Sequence, residues 1–244
     1  MQIARGVHQV KGILGGNVYL LDDTRLTLVD AGLPGNHRRI LQALRALGRE
    51  PEELAFILIT HGHPDHYGSA AALQAETGAR VLAHVGDAWS DRQGRSLLRY
   101  GWVPGFPSPV VDGWLQEGQR LPVLDGLFVY HTPGHTPGSV SFHLKKRGVL
   151  FTGDTALTDG QYFTRPFPFP GTDWDQHRRS LERLGALTAE SACPGHGRPC
   201  LRHASERIRQ CSRLFYEKRV PLWWKVLRNT PGLAKLGLRF VATP

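Results

Sequence analysis

Thr60-His61-Gly62-His63-Pro64-Asp65-His66 follows directly on the apolar run Phe56-Ile57-Leu58-Ile59. A short apolar run that stops in a polar loop reads as a strand buried on both faces, with the loop at its carboxyl end. Four groups that bind metal ions lie within six residues of that loop. Imidazole and carboxylate together suit zinc, manganese or iron. In an extended backbone His61 and His63 project to the same side, whereas Asp65 and His66 lie beyond the turn at Pro64. That spacing feeds two adjacent ions rather than one. A lone histidine here would read as a half-buried structural side chain. Three histidines and an aspartate after an apolar strand read as a site.

Distant segments share the same strand-then-turn character: His131-Thr-Pro-Gly-His135-Thr-Pro-Gly-Ser139, Phe151-Thr-Gly-Asp154-Thr155 and Cys193-Pro-Gly-His196-Gly197. Each sets a candidate ligand in a Gly/Pro turn where backbone can approach closely. The chain between them alternates strand and helix patterns. Residues 17–30 read as a hairpin, and Ile40, Leu41, Leu44 and Leu47 share a helix face that starts near Pro34 and Asn36. Residues 68–77 suit a helix and Arg80–His84 a strand, which together mark an α/β layer. Residues 86–118, rich in Trp, Gly and Pro, show no clean period and read as an insertion over the core. Strands resume at Leu127–Tyr130, Ser139–Leu144 and Val149–Thr152, with another near Ala192. One helical stripe runs through Trp174, His177, Leu181, Leu184 and Leu187, and a second through Leu201, Ala204, Ile208, Cys211 and Phe215.

The 244 residues (27.1 kDa) fit one α/β domain and can bury roughly 73–75% of the unfolded surface, so no disulfide or metal is needed merely to fold. The longest unbroken aliphatic and aromatic run, Leu54–Ile59, is six residues, against about 20 for a bilayer span. The first residues lack the pattern of a secretory signal. Cys193, Cys200 and Cys211 form an odd set without paired spacing, and the expectation is a cytoplasmic protein with reduced thiols. The net charge of +9 is uneven: residues 1–200 carry +1, and residues 201–244 carry +8. A nucleic-acid groove needs concentrated Lys and Arg, so the neutral body disfavours one.

The segments THGHPDH, HTPGHTPGS, FTGDT and PGHG, in this order, resemble the metallo-β-lactamase fold superfamily of metallohydrolases, in its glyoxalase II-like branch broadly taken. Val29-Asp-Ala-Gly32 matches the early aspartate motif of that family, and the resemblance spans about residues 10–200. It implies a four-layer αββα sandwich with a C-terminal helical extension. Residues 1–200 would form the catalytic domain, with the aromatic insertion at about 86–118, and residues 201–244 a basic helical extension packed on it. By the same resemblance His61, His63 and His135 hold one divalent ion, Asp65, His66 and His196 hold a second, and Asp154 bridges them. Asp30 would orient the ligands through hydrogen bonds, and Asp65 would also receive or orient the proton of the attacking water. Zinc is the first choice for both ions, with iron and manganese as alternatives. His8, His37, His84, His131, His143, His177 and His203 match no ligand position; His135 is preferred to His131 because it alone lies inside GHTPGS.

A hydroxide between two divalent ions forms near neutral pH while the ions polarise a carbonyl or phosphoryl oxygen, so no Ser or Cys nucleophile is required. The expected reaction is hydrolysis of an ester, thioester or lactone of a small molecule. A phosphodiesterase acting on RNA or DNA is the alternative, and a non-catalytic binding module stands third. Trp102, Phe106, Tyr162 and Arg165 are the candidate substrate contacts, apolar walls with one cation. Leu157 stands where acyl-homoserine lactonases of the family usually place a tyrosine, and residues 200–244 lack the recognisable glutathione-binding pattern of glyoxalase II enzymes. Oligomeric state is not legible.

Overall fold

Tyr19, Leu20 and Leu21 are consecutive buried residues that serve different cores: Leu20 packs into one apolar cluster, Tyr19 and Leu21 into another. Successive side chains of a strand point to opposite faces, so a sheet buried on both sides must lie here. The computed structural model describes residues 1–90, 93, 96–98 and 107–217. Trp102 and Phe106 and the basic tail from residue 218 onward lie outside them.

In chain order the strands of the first half are β1 (Gln2–Ala4), β2 (Val7–Gln9), β3 (Tyr19–Leu21), β4 (Leu26–Val29), β5 (Leu54–Leu58), β6 (Arg80–Ala83), β7 (Ala88–Ser90), β8 (Ser96–Leu98) and β9 (Gly113–Trp114). Those of the second half are β10 (Arg120–Leu121), β11 (Leu127–His131), β12 (Val140–Leu144), β13 (Val149–Gly153), β14 (Leu157–Asp159), β15 (Phe163–Thr164), β16 (Ser191–Pro194) and β17 (Gly197–Arg198). The helices are α1 (His37–Arg45), α2 (Pro64–Tyr67), α3 (Ala70–Thr77), α4 (Trp174–Ala186) and α5 (Ala204–Glu217). Sheet one runs β1-β2-β3-β4-β5-β6-β9, and sheet two runs β10-β11-β12-β13-β16. β4, β5, β6 and β9 pair in parallel, as do β13 and β16.

Three clusters give four layers. Ile40, Leu41 and Leu44 of α1 and Leu73 of α3 cover Leu20, Leu28 and Ile57 on the outer face of sheet one. Between the sheets lie Tyr19, Leu21, Val29, Leu58 and Leu82 against Val129, Phe142, Leu144 and Phe151. On the outer face of sheet two, Leu181 and Leu184 of α4 and Ile208 and Cys211 of α5 cover Leu150 and Ala192. This is an αββα sandwich. Asp173 caps α4 by accepting hydrogen bonds from the N–H groups of Asp175 and Gln176. Among the described residues no helix is long and apolar enough to cross a membrane.

Three sequence expectations need correction. α1 ends at Arg45, and Leu47 lies past it, exposed, in the turn that Gly48 makes with a φ of +73°. Leu201 is exposed ahead of α5 rather than on its apolar face. The 86–118 segment is not wholly an overlay: β9 joins the edge of sheet one beside β6, and Leu115 packs between the sheets. Two-residue strands such as β9 have too little length to show a period.

Candidate metal centre

Both sheets send ligand-bearing loops to one edge. His61, His63, Asp65 and His66 follow β5 in sheet one, His135 precedes β12, and Asp154 and His196 follow the parallel neighbours β13 and β16. The sheets are tied there by backbone, since Val140 N–H donates to the Thr60 carbonyl at 2.8 Å and Asn17 N–H to the Gly195 carbonyl at 2.6 Å. Pro64 occupies the first position of α2, where its missing N–H costs nothing, so the loop turns into helix between His63 and Asp65.

His61 Nε2 and His135 Nε2 each stand 3.0 Å from His63 Nδ1. All three imidazoles are buried. Asp65 Oδ2 lies 3.1 Å from His196 Nε2, and His66 Nε2 lies 3.2 Å from the same nitrogen. Asp154 sits between the groups, with Oδ1 at 3.5 Å from His66 Nε2 and Oδ2 at 3.5 Å from both His135 Nε2 and His196 Nε2. The seven side chains expected from sequence therefore meet in one place. A Cβ on Gly195 would lie 2.0 Å from Asp154 Oδ1, so only glycine leaves room for that carboxylate.

The two groups differ in charge. Burial holds His61, His63 and His135 as neutral imidazoles, with His63 pushed down to about 4 although Asp65 pulls the other way. Burial also opposes a charge on His66, but the carboxylates of Asp154, Asp65 and Asp30 prevail and raise it to about 10. His196 is raised likewise, burial being outweighed by Asp154 and Asp65. Burial would raise Asp65, yet His66 and His196 hold it well below the usual carboxylate range. Asp154 is raised, because burial outweighs the attraction of His196 and His66.

These residues fit divalent cations. A neutral imidazole carries one ring lone pair, and a cation at the meeting point of the three nitrogens uses all three at once. Asp154 Oδ1 is buried without a hydrogen-bond partner, an acceptor in want of a positive centre. Among the described residues, the groups able to hold an ion are His61–His63–His135, His61–His66–Asp154 and Asp65–His66–His196, each with ligand atoms within 4.8 Å of one another. Asp30 accepts hydrogen bonds from His66 Nδ1, Thr60 N–H and the Thr60 hydroxyl, each at 2.8 Å. His8, His37, His84, His131, His143, His177 and His203 belong to none of the groups. His131 instead bonds the Pro137 carbonyl and stacks on His84 at 4.1 Å.

Of the candidate substrate contacts, Tyr162 is exposed, and the Arg165 guanidinium lies over the Trp174 ring at 4.7 Å. In the segment 162–169 that carries both, Phe169 reaches the site: it is 46% exposed, its ring 4.8 Å from that of His63 and 6.0 Å from that of His135. Sequence reading also passed over Asp87, a buried carboxylate between the loops, raised by burial against three hydrogen bonds. No motif marks it.

An αββα sandwich with a His/Asp cluster where its two sheets meet defines a class of metallohydrolase-like folds, and the comparisons agree. The family model of the metallo-beta-lactamase superfamily matches residues 12–196, and the chain belongs to that superfamily. It is 34% identical over 212 residues to the uncharacterized protein YobT of Bacillus subtilis (strain 168), covering 80% of this chain and 88% of that one. It is 34% identical over 180 residues to a hydroxyacylglutathione hydrolase of Pseudomonas paraeruginosa, covering 71% of this chain but spanning only 58% of that hydrolase. Among solved structures, a metallo-beta-lactamase family protein from Thermus thermophilus superposes with a TM-score of 0.68 at 24% identity, over 88% of this chain and 79% of that one.

Proposed function

We propose that this protein is a metal-dependent hydrolase that cleaves an ester, thioester or lactone bond of a small molecule. The observation that carries the reading is the adjoining pair of ligand groups, three neutral imidazoles beside an imidazole–carboxylate cluster, with Asp154 between them. In this reading His61, His63 and His135 hold one divalent ion, Asp65, His66 and His196 hold another, and Asp154 touches both; zinc suits the donor set best, with iron and manganese as alternatives. Bound there, such ions supply an acidified water and a Lewis acid for the carbonyl oxygen. The side chain of Asp65 is 27% exposed, which leaves it open to solvent on one side to orient or receive the proton of the attacking water. Asp30 holds the His66 ring so that Nε2 faces the site. Phe169 offers an apolar wall beside His63, and the same loop carries Tyr162 and Arg165.

The small-molecule substrate is supported by relatives named hydroxyacylglutathione hydrolase and by the near-neutral charge of residues 1–200. We place the catalytic domain in residues 1–200 and the extension in 201–244; its α5 packs on α4 and the outer face of sheet two. Three buried free thiols suit a reducing cytoplasm. The test is elemental analysis of protein purified without added metal, followed by a screen of ester, thioester, lactone and bis-aryl phosphodiester substrates. About two ions per chain and turnover of an acyl substrate are expected. Turnover of the phosphodiester alone would move the assignment to the nucleic-acid class.

A further inference from the structure

Asp87 lies in the short turn after β6, in the stretch read from sequence as an insertion. It is 2% exposed, and both carboxylate oxygens are engaged. Oδ2 accepts from Gly62 N–H at 2.7 Å and from the Thr136 hydroxyl at 2.6 Å, and Oδ1 accepts from Gly138 N–H at 2.7 Å. Gly62 stands between His61 and His63, and Thr136 adjoins His135. One carboxylate thus ties the loop after β5 in sheet one to the loop before β12 in sheet two. Those loops carry all three members of the His61–His63–His135 group.

The fit is close. A Cβ on Gly138 would lie 2.6 Å from Asp87 Cγ, and one on Gly86 would lie 2.9 Å from Gly138 N, so the two backbones meet without side chains between them. A buried carboxylate is costly unless its lone pairs are used, and short bonds from N–H and O–H donors to an ionised acceptor are the strong kind. An amide at this place can serve the two donors at Oδ2 only by turning its NH₂ toward the Gly138 N–H. The arrangement calls for a carboxylate.

We propose that Asp87 is a positioning residue that sets the spacing of His61 and His63 against His135, and so governs affinity for the ion of that group alone. The inference rests on the metal-site reading above. Its test isolates the two groups: His196→Ala leaves the first group intact, and His135→Ala leaves the second. Cobalt(II) affinity is measured in each background by chelator competition and visible absorption, with and without Asp87→Asn. In the His196→Ala background Asp87→Asn is expected to weaken binding by about 10–100-fold, and in the His135→Ala background to leave it unchanged. Thr136→Val, which removes one of the three bonds, weakens the same ion by a smaller factor and decides the matter alone if Asp87→Asn does not fold. Equal loss in both backgrounds, or unchanged affinity in folded variants, would reduce Asp87 to a structural tie. Wild-type protein that takes up no cobalt would overturn the metal reading itself, and this assignment with it.

Discussion

Asp30 at the end of β4 accepts a hydrogen bond from His66 Nδ1 at 2.8 Å, which holds the ring so that Nε2 faces His196 and Asp154. Asp30 does so with a φ of +61°, a left-handed conformation that costs a residue with a side chain about 1–3 kcal/mol. Asp30→Asn keeps the shape and loses the charge. Its expected effect is a roughly 10–100-fold weaker ion at the Asp65–His66–His196 group, read by chelator competition, with a smaller loss at the group of His61, which Asp30 reaches only through Thr60.

His61→Ala and Asp154→Ala each remove a donor from the cluster without touching the three apolar clusters. We expect kcat/KM to fall by about 100-fold or more, while far-UV circular dichroism of the metal-free protein is unchanged. Full turnover by Asp154→Ala protein holding one ion would show that a single metal suffices.

Metal uptake has a proton balance that differs between the groups. His63, at about 4, is already neutral at pH 7, whereas His66, at about 10, must lose a proton before it can bind. Affinity at the His66 group therefore rises with pH below about 10, by about tenfold per unit for the His66 proton, and more steeply where His196, also raised, still holds its proton. Affinity at the His63 group stays flat over pH 6–8. Calorimetry in buffers of different ionisation enthalpy counts the released protons; equal release from both groups would contradict the assignment.

His177, fully buried in α4, is pushed down to about 4 by burial. In the unfolded chain it takes up a proton near pH 6.5, so between about 6.5 and 4 the unfolded state binds more protons and stability falls as pH falls. The contribution lost is at most about 3 kcal/mol. His177→Leu keeps the apolar stripe with Leu181 and Leu184, and its urea-unfolding free energy should decline less than wild type between pH 6.5 and 4.5.

The seven clustered side chains were legible because each lies in a short turn at a strand end, where neighbouring residues already state the chemistry. The layering was legible from runs such as Phe56–Ile59, buried on both sides. Several strands of two or three residues, β10, β14, β15 and β17, present no period and went unread. Asp87 was invisible for a different reason: its partners Gly62, Thr136 and Gly138 are 25, 49 and 51 residues away, and nothing local distinguishes it from any other aspartate in a turn. Phe169 was not among the candidate contacts, since its position beside His63 depends on how the 162–169 segment folds back.

Because the first four cluster residues come from sheet one and the last three from sheet two, any ion that binds across them joins halves of the molecule that are otherwise held by apolar contact, backbone bonds and side-chain hydrogen bonds such as those of Asp87 and Tyr19. Ligand concentration then becomes a thermodynamic handle on the whole sandwich, since free metal at about 1,000 times its dissociation constant adds about 4 kcal/mol to unfolding. A chain that folds without metal would thus melt at a temperature set by how much metal surrounds it, and resistance to proteolysis would serve as a gauge of occupancy.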